Sequence, residues 1–166
     1  FENMTNMFLF DAINSNNTRI IEKLINNEKY TDNINEFVFH ACARLASMQI
    51  IKIFCNHKDF DINYVNQNKI SVIHISLVRG HYFALKYFFE TYKNIKDFDL
   101  TAEIIYPIRN DHLMSLKCYI EYLMNKYDSD KFQEIINGYK MHYKKTSENV
   151  IYILDQLIYE IKSEKM

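Results

Sequence analysis

Apolar positions along the chain recur every three or four residues, which is the spacing of helices that bury one face. They form pairs of short segments, and a polar stretch rich in asparagine and aspartate separates each pair from the next. The pairs occupy residues 4–25, 36–57, 71–89, 103–127 and 129–166. This pattern predicts helical hairpins that follow one another along the chain.

The scarcity of glycine and proline narrows the fold class. The 166 residues include two glycines and one proline. Sheets and barrels need many turn residues with positive or fixed φ, and these two residue types usually supply them. Helices joined by Asn-rich loops need fewer of them, because asparagine tolerates the left-handed region. We therefore predict a single all-α domain over residues 1–166.

Charge and cysteine content bear on the class of partner and the compartment. Lysine and arginine number 20 against 21 acidic residues, so the net charge of -1 does not favour nucleic acid or an anionic membrane surface. No apolar run reaches the ~18 residues that a membrane span requires. Three cysteines without paired spacing predict free thiols and a reducing compartment. The expected location is the cytoplasm, either of the source organism or of a host cell.

One stretch, NQNKISVIHISLVRGHYFALKYFF at residues 66–89, carries a recognisable set of residues. Ser71 is placed to cap a short helix that contains His74, and Gly80 interrupts that helix six residues after the histidine. A second apolar stripe follows at residues 82–89. This stretch resembles one ankyrin repeat, a unit of about 33 residues in which a T-P-L-H helix, a glycine turn and a second helix follow a hairpin loop.

The other hairpins align with this repeat less closely. With the histidine as marker, His40 and Tyr106 fall on the position of His74, and positions 11, 40, 74 and 106 are 29, 34 and 32 residues apart. The resemblance implies a solenoid of about four to five stacked helix-turn-helix repeats with a C-terminal capping helix. The repeats are expected roughly at residues 4–30, 31–63, 64–98, 99–127 and 129–166.

Departures from the family pattern leave alternatives open. The alignment puts Asn17, Ala46 and His112 in the place of Gly80. Pro107 lies inside the first helix of the fourth unit, so that helix is expected to be kinked or to begin at the proline. Another helical-hairpin solenoid, or a compact helical bundle, would satisfy the same apolar pattern.

The histidines, cysteines and glycines of the sequence do not have the spacing of a metal site or a catalytic site. His40 and Cys42 are two residues apart, and on a helix such side chains point in different directions. The sequence holds no C-x-x-C or H-x-x-x-H spacing and no glycine-rich phosphate loop. The basic run KMHYKK at residues 140–145 is interpreted as a solvated helix face. We predict no catalytic residue, metal or cofactor.

The resemblance also implies which residues contact a partner protein. In ankyrin repeats these are the fourth and fifth residues after the histidine, together with the loop before the T-P-L-H helix. Carried over by position, the candidate partner-binding residues are Arg44, Leu45, Val78, Arg79, Asn110, Asp111, Gln67 and Asn68. The same rule adds Ser15, Asn16, Asn33 and Ile34.

The function that follows from the resemblance is non-catalytic binding of another protein on the concave face of the stack. The module is expected to belong to a longer regulatory or host-interacting protein. The composition is typical of an AT-rich genome, which bears on the origin of the chain and not on its mechanism. Two alternatives remain at this point. The chain could be a compact helical bundle that binds a partner helix in a groove, as Bcl-2-like proteins do, or the non-catalytic part of an enzyme or effector.

Overall fold

The computed structural model describes residues 2–26 and 33–166, with side chains from Asn6 onward. This part of the chain forms ten α-helices and no β-strand, which confirms the all-α prediction. The helices are α1 Glu2–Asn14, α2 Thr18–Ile25, α3 Ile34–Ala43, α4 Met48–Cys55, α5 Val72–Arg79, α6 Tyr82–Thr91, α7 Ile105–Arg109, α8 Leu113–Lys126, α9 Ser129–Tyr143 and α10 Glu148–Glu164. The predicted boundary between the first two repeats, at residues 30 and 31, lies outside the described residues.

The helices pack in two rows, so that each pair stacks on the next. In the inner row, α1 packs on α3, α3 on α5, and α5 on α7. In the outer row, α2 packs on α4, α4 on α6, α6 on α8, and α8 on α10. One hydrophobic core runs through the described part of the chain from Leu9 to Ile161, because no single pair can bury its apolar face alone. The fold is a solenoid of stacked hairpins, as predicted.

The turn between the two helices of a pair has the same geometry in the first four pairs. Each turn holds a residue with positive φ: Asn16 (55°), Leu45 (55°), Gly80 (72°) and Asp111 (57°). The next residue donates its N–H to the carbonyl oxygen five residues earlier, as His81 does to Ser76 at 2.8 Å, and all four turns share this bond. It is the Schellman arrangement, which satisfies carbonyl groups at a helix end.

These left-handed residues correct the predicted alignment by one position. The residues that correspond to Gly80 are Asn16, Leu45 and Asp111 rather than Asn17, Ala46 and His112. Packing explains the shift, since the residue after the turn lies against the core. Ala46 and His81 are both buried at that place. In the second repeat the buried side chain is that of Ala46, and the left-handed backbone falls on the exposed Leu45 in spite of its Cβ atom.

His74 fixes the start of α5 through a reciprocal cap. The Ser71 hydroxyl accepts from the backbone N–H of His74 at 3.3 Å, and Nδ1 of His74 accepts from the backbone N–H of Ser71 at 3.2 Å. In the corrected alignment Phe39 and Ile105 stand at the position of this histidine. His40 instead places Nε2 2.9 Å from Oδ1 of Asn14. The histidine role predicted for residue 40 is therefore wrong.

Asparagine side chains join successive loops below the helices. Oδ1 of Asn35 accepts from the backbone N–H of Asp61 at 2.8 Å. One repeat further on, Oδ1 of Asn63 accepts from the backbone N–H of Lys96 at 2.8 Å, and Nδ2 of Asn63 donates to the carbonyl of Asn94 at 2.9 Å. Each loop thus satisfies backbone groups of the following loop, which keeps the repeats in register.

The C-terminal part departs from the regular stack. Helix α7 is one short turn that begins at Ile105, two residues before Pro107, so the proline lies in the first turn, where its missing N–H has no intrahelical acceptor. Only Tyr127 and Asp128 separate α8 from α9, so no long loop precedes the last pair. Helix α9 packs against α8 and α10, and α10 packs also against α7.

Candidate functional site

The C-terminal ends of the inner helices α3, α5 and α7 form the surface where the sequence predicted partner contacts. Because these helices pack side by side, residues just before the left-handed turn of each repeat lie in one row. The corrected alignment gives this row as Ser15, Arg44, Arg79 and Asn110, and the adjacent row as Asn14, Ala43, Val78 and Arg109. We call these eight residues the inner strip.

Four predicted contact residues come from the second and third repeats. Arg44 and Arg79 are exposed, and Nε of Arg79 donates to the carbonyl of Ala43 at 3.0 Å, which holds this side chain across the junction of α5 and α3. Val78 is half-buried beside it. Leu45 is 49% exposed, but it occupies the left-handed turn position rather than the strip itself.

The one-residue shift also moves the prediction for the fourth repeat. Asn110 and Asp111 are both exposed, but Asp111 is the left-handed turn residue, equivalent to Gly80. Arg109 takes the place that was predicted for Asn110 and was missed by the sequence comparison. The hydrogen bonds that end α7 define the alignment of this repeat with the others. The residue types at positions 105–112 do not indicate where those bonds form.

The loop residues of the prediction lie at the opposite end of the inner helices. Gln67 and Asn68 are exposed at the tip of a hairpin in which Oδ1 of Asn66 accepts from the backbone N–H groups of Asn68 and Ile70 at 3.0 Å each. The eight-residue helix α5 separates this hairpin from Arg79 by about 12 Å. The structure therefore does not bring the hairpin tip into the inner strip.

Two loop residues outside the main set can also be placed. Asn33 is half-buried before α3. Ile34 is 1% exposed and belongs to the core, so its predicted role as a contact residue is wrong.

The arginines of the inner strip have no carboxylate partner among the described residues. Every ion pair found there uses lysine or histidine as the cation. Arg44, Arg79 and Arg109 stand at the C-terminal ends of three successive inner helices and are all exposed. The acidic residues nearest in sequence to the strip are Asp11 on α1 and Asp111 after α7, at its two ends. The middle of the strip is therefore positively charged.

Partly exposed apolar and aromatic groups lie beside these arginines. Ile75 is half-buried and Tyr106 is 45% exposed, at equivalent positions of α5 and α7. His40 holds the same place on α3, where its ring contacts Phe10 edge-on at a centroid distance of 4.8 Å. Burial, and then the nearby Arg44, lower the pKa of His40, so the ring is neutral at pH 7. The surface thus combines fixed positive charge with apolar contact area.

The three thiols are free and shielded from solvent to different degrees. Cys42 and Cys55 are buried and Cys118 is half-buried. Burial raises the pKa of Cys42 and of Cys118 to about 12 and raises that of Cys55 further, so the thiolates needed for nucleophilic attack or metal binding are disfavoured. The described side chains include no group of three His, Cys, Asp or Glu residues placed to hold a metal ion.

None of the helices in the described part of the chain has the length and apolar character needed to cross a bilayer.

Comparison with known proteins identifies the family. The family model for ankyrin repeats, in three copies, matches residues 9–101, which is more than half of the 166 residues. No curated protein and no solved structure matches the chain. Ankyrin repeats are generally protein-interaction modules, and the family is typically non-catalytic. The stacked hairpins, the cap between Ser71 and His74 and the matching model agree, and the chain belongs to the ankyrin-repeat family.

Proposed function

We propose that this domain binds a partner protein along the inner strip and that the bound part of the partner is an acidic, extended segment. The observation that carries the proposal is the set of three exposed arginines at the C-terminal ends of successive inner helices, none of which has a carboxylate partner among the described residues. A guanidinium donates up to five hydrogen bonds and pairs well with carboxylates. The unused donors of these arginines favour an acidic partner.

The spacing of the repeats sets the expected spacing of acidic residues in the partner. Neighbouring helices pack about 10 Å apart. A peptide in the extended polyproline II conformation advances about 3.1 Å per residue with about three residues per turn, so about three residues span one repeat and every third side chain faces the same way. Acidic residues at every third position would therefore meet Arg44, Arg79 and Arg109 in turn. The half-exposed Ile75 and Val78 offer apolar contact between them.

A peptide-display selection on the purified domain tests this proposal without a known partner. Selected peptides should carry Asp or Glu at intervals of about three residues, and their affinity should fall as salt rises, because exposed ion pairs are screened. Arg79→Gln should weaken binding about tenfold, the effect expected of an arginine at an interaction hot spot. Arg44→Gln and Arg109→Gln should have smaller effects in the same direction.

Arg19→Gln is the matched control, because Arg19 is exposed on the outer helix α2, away from the inner strip. This variant should bind selected peptides as the wild type does. Peptides without acidic enrichment, or equal losses for Arg19→Gln and Arg79→Gln, would show that the inner strip is not the binding surface. Selection of apolar helical peptides would favour a groove binder instead.

The proposed role is that of a non-catalytic module within a regulatory or host-interacting protein. Free thiols shielded from solvent support a reducing compartment such as the cytoplasm. The compact bundle considered from the sequence does not describe this fold, in which helix pairs advance along two rows.

A further inference from the structure

A cleft opens between residues 95–101, α8 and α9, on the side of the fold where the repeats' loops lie. Its volume is about 380 Å³, within the range of small-molecule sites in proteins. Only two residues link α8 to α9, and α9 forms one wall of the cleft opposite residues 95–101.

Hydrogen bonds hold the walls of this cleft in place. Nζ of Lys126 donates to the carbonyl of Ile95 at 2.8 Å and to Oδ1 of Asp97 at 2.6 Å. The Tyr127 hydroxyl also donates to Asp97. At the far end of α9, the Tyr143 hydroxyl donates to the carbonyl of Thr101 at 2.6 Å. The loop is thus tied to both helices, and the cleft is preformed.

The interior is aromatic and aliphatic, with one polar feature. Phe89 and Tyr122 stack with their centroids 4.0 Å apart. Deeper in, the hydroxyls of Tyr119 and Tyr139 lie 2.8 Å apart, and the two residues are 4% and 5% exposed. Only one of the two hydroxyl hydrogens is used in that bond, and the described residues offer the other no acceptor. A buried donor is therefore available to a ligand.

Burial keeps both tyrosines in the donor form. It raises the pKa of Tyr139 to about 12 and that of Tyr119 well above its usual range. The hydroxyls therefore stay protonated throughout the physiological pH range.

The charges around the cleft balance one another. Three lysines and three carboxylates line it: Lys96, Lys126, Lys131, Asp97, Asp99 and Glu134. Lys126 pairs with Asp97, and Lys131 pairs with Glu134 at 3.0 Å. With no excess of either sign, the cleft offers no electrostatic preference for an ion, which favours a neutral ligand.

Gly138 forms part of the wall of the cleft. It lies on the face of α9 that also carries Lys131, Glu134 and Ile135 toward the cleft. A Cβ atom built at Gly138 would have no atom within 4 Å, so packing does not require glycine there. Glycine inside a helix is less stable than alanine. A larger side chain at this position would extend into the cleft.

We propose that this cleft binds a neutral, largely apolar small molecule that carries a hydrogen-bond acceptor, which takes the free hydroxyl hydrogen of the Tyr119–Tyr139 pair. The site is separate from the inner strip, which stands at the other ends of the inner helices. It is therefore independent of the protein partner proposed above.

The neutral fluorescent ketone prodan is a suitable probe, because it joins a flat apolar body to one carbonyl acceptor. Titration into the wild-type domain should give saturable binding at one site per chain, with increased emission. Gly138→Leu should weaken this binding at least tenfold, since the leucine fills the cleft. Asn137→Leu, at an exposed neighbouring position of α9, is the matched control and should bind prodan as the wild type does.

A second comparison tests the hydrogen bond. The double variant Tyr119→Phe/Tyr139→Phe should weaken prodan binding several-fold and leave the binding of 2-(dimethylamino)naphthalene, which lacks the carbonyl, unchanged. Thermal unfolding of each variant verifies that it is folded. The proposal is overturned if prodan does not bind saturably, if Gly138→Leu and Asn137→Leu bind it equally, or if the double variant weakens both probes alike.

Discussion

Gly80 lies where a side chain is opposed both by the backbone and by the next repeat, so Gly80→Ala should be strongly destabilising. Its φ of +72° is a left-handed conformation, which costs a residue with a Cβ atom about 1–2 kcal/mol. A Cβ atom there would approach Cγ, Cδ2 and Cβ of His112 to 2.3, 2.6 and 2.7 Å. Carbon atoms in contact prefer separations of about 3.5–4.0 Å, so the imidazole must move.

The expected loss of stability is the sum of the backbone cost and the steric cost. Overpacking of this kind costs about 1–3 kcal/mol, and the reduced freedom of the unfolded chain returns about 0.4–1 kcal/mol. The free energy of unfolding should therefore fall by about 2–4 kcal/mol. At about 2–4 °C per kcal/mol for a chain of this size, the Tm should drop by roughly 5–15 °C. Urea unfolding and calorimetry measure both quantities.

Two further variants separate the steric cost from the backbone cost. His112→Ala in the Gly80→Ala background should recover part of the steric cost, because it removes Cγ and Cδ2; the backbone cost of about 1–2 kcal/mol and the contact with Cβ at 2.7 Å remain. Gly138→Ala is the control for glycine replacement, and it should stabilise the domain by about 0.5–1 kcal/mol, because Gly138 is helical and nothing opposes a methyl group there. The predicted close contact between Gly80 and His112 would be wrong in either of two cases: if Gly80→Ala lowers the free energy of unfolding no more than Gly138→Ala does, or if His112→Ala restores none of the lost stability.

Three other substitutions or conditions should change stability in a predictable direction. Lys69 is exposed with φ of 61°, so Lys69→Gly should stabilise the domain by about 0.5–1 kcal/mol in urea unfolding, whereas Asn68→Gly beside it should destabilise by a similar amount. Ser76 Oγ is buried, and among the described residues its polar neighbour is the Cys42 thiol, a weak hydrogen-bond partner. Ser76→Ala should therefore raise the free energy of unfolding by up to about 1 kcal/mol; a loss would show that the thiol satisfies the hydroxyl. Burial lowers the pKa of His74 in the folded protein, although Glu103 and Asp99 oppose this. Below about pH 6.5 the unfolded chain therefore binds more protons than the folded chain does. Stability should therefore fall between pH 7 and pH 5, and His74→Gln should reduce that slope.

The repeat at residues 66–89 could be recognised from the sequence because its key residues act on their near neighbours in the chain. Ser71 and His74 are only three residues apart and together cap the start of α5, and Gly80 supplies the left-handed turn that glycine favours. Residue type and spacing suffice to identify such features. The apolar period was equally informative, since it reports which face of each helix meets the core.

The register of the other repeats was not readable in this way. Leucine is disfavoured at positive φ, and no local rule selects Leu45 for the turn over Ala46. The choice depends on which of the two side chains fits against the core, and Ala46, at 7% exposed, is the buried one. The error matters for function because it replaced Arg109 with Asn110 in the predicted contact row. Tertiary packing, not residue preference, decided this position.

The cleft was hidden from sequence analysis for a different reason. The short link between α8 and α9 is visible in the sequence, but the direction that α9 takes after it depends on packing against α8 and α10. Tyr119 and Tyr139 are 20 residues apart and meet only because of that path. Apolar periodicity assigned both tyrosines to helices and gave no indication that their hydroxyls would pair.

The distribution of paired and unpaired cations supports two separate roles for the two parts of the chain. The lysine ion pairs found among the described residues lie between residues 86 and 164, where Lys117 pairs with Glu160 and Glu164 and Lys126 pairs with Asp97. Each exposed pair contributes little, but together with the pair of Lys140 and Asp155 they join α10 to α8, α9 to α10, and residues 95–101 to α8 around the cleft. The inner-strip arginines make no such pair there and remain available to an acidic partner. High salt should therefore weaken partner binding through the arginines and leave prodan binding, which needs no charge, nearly unchanged.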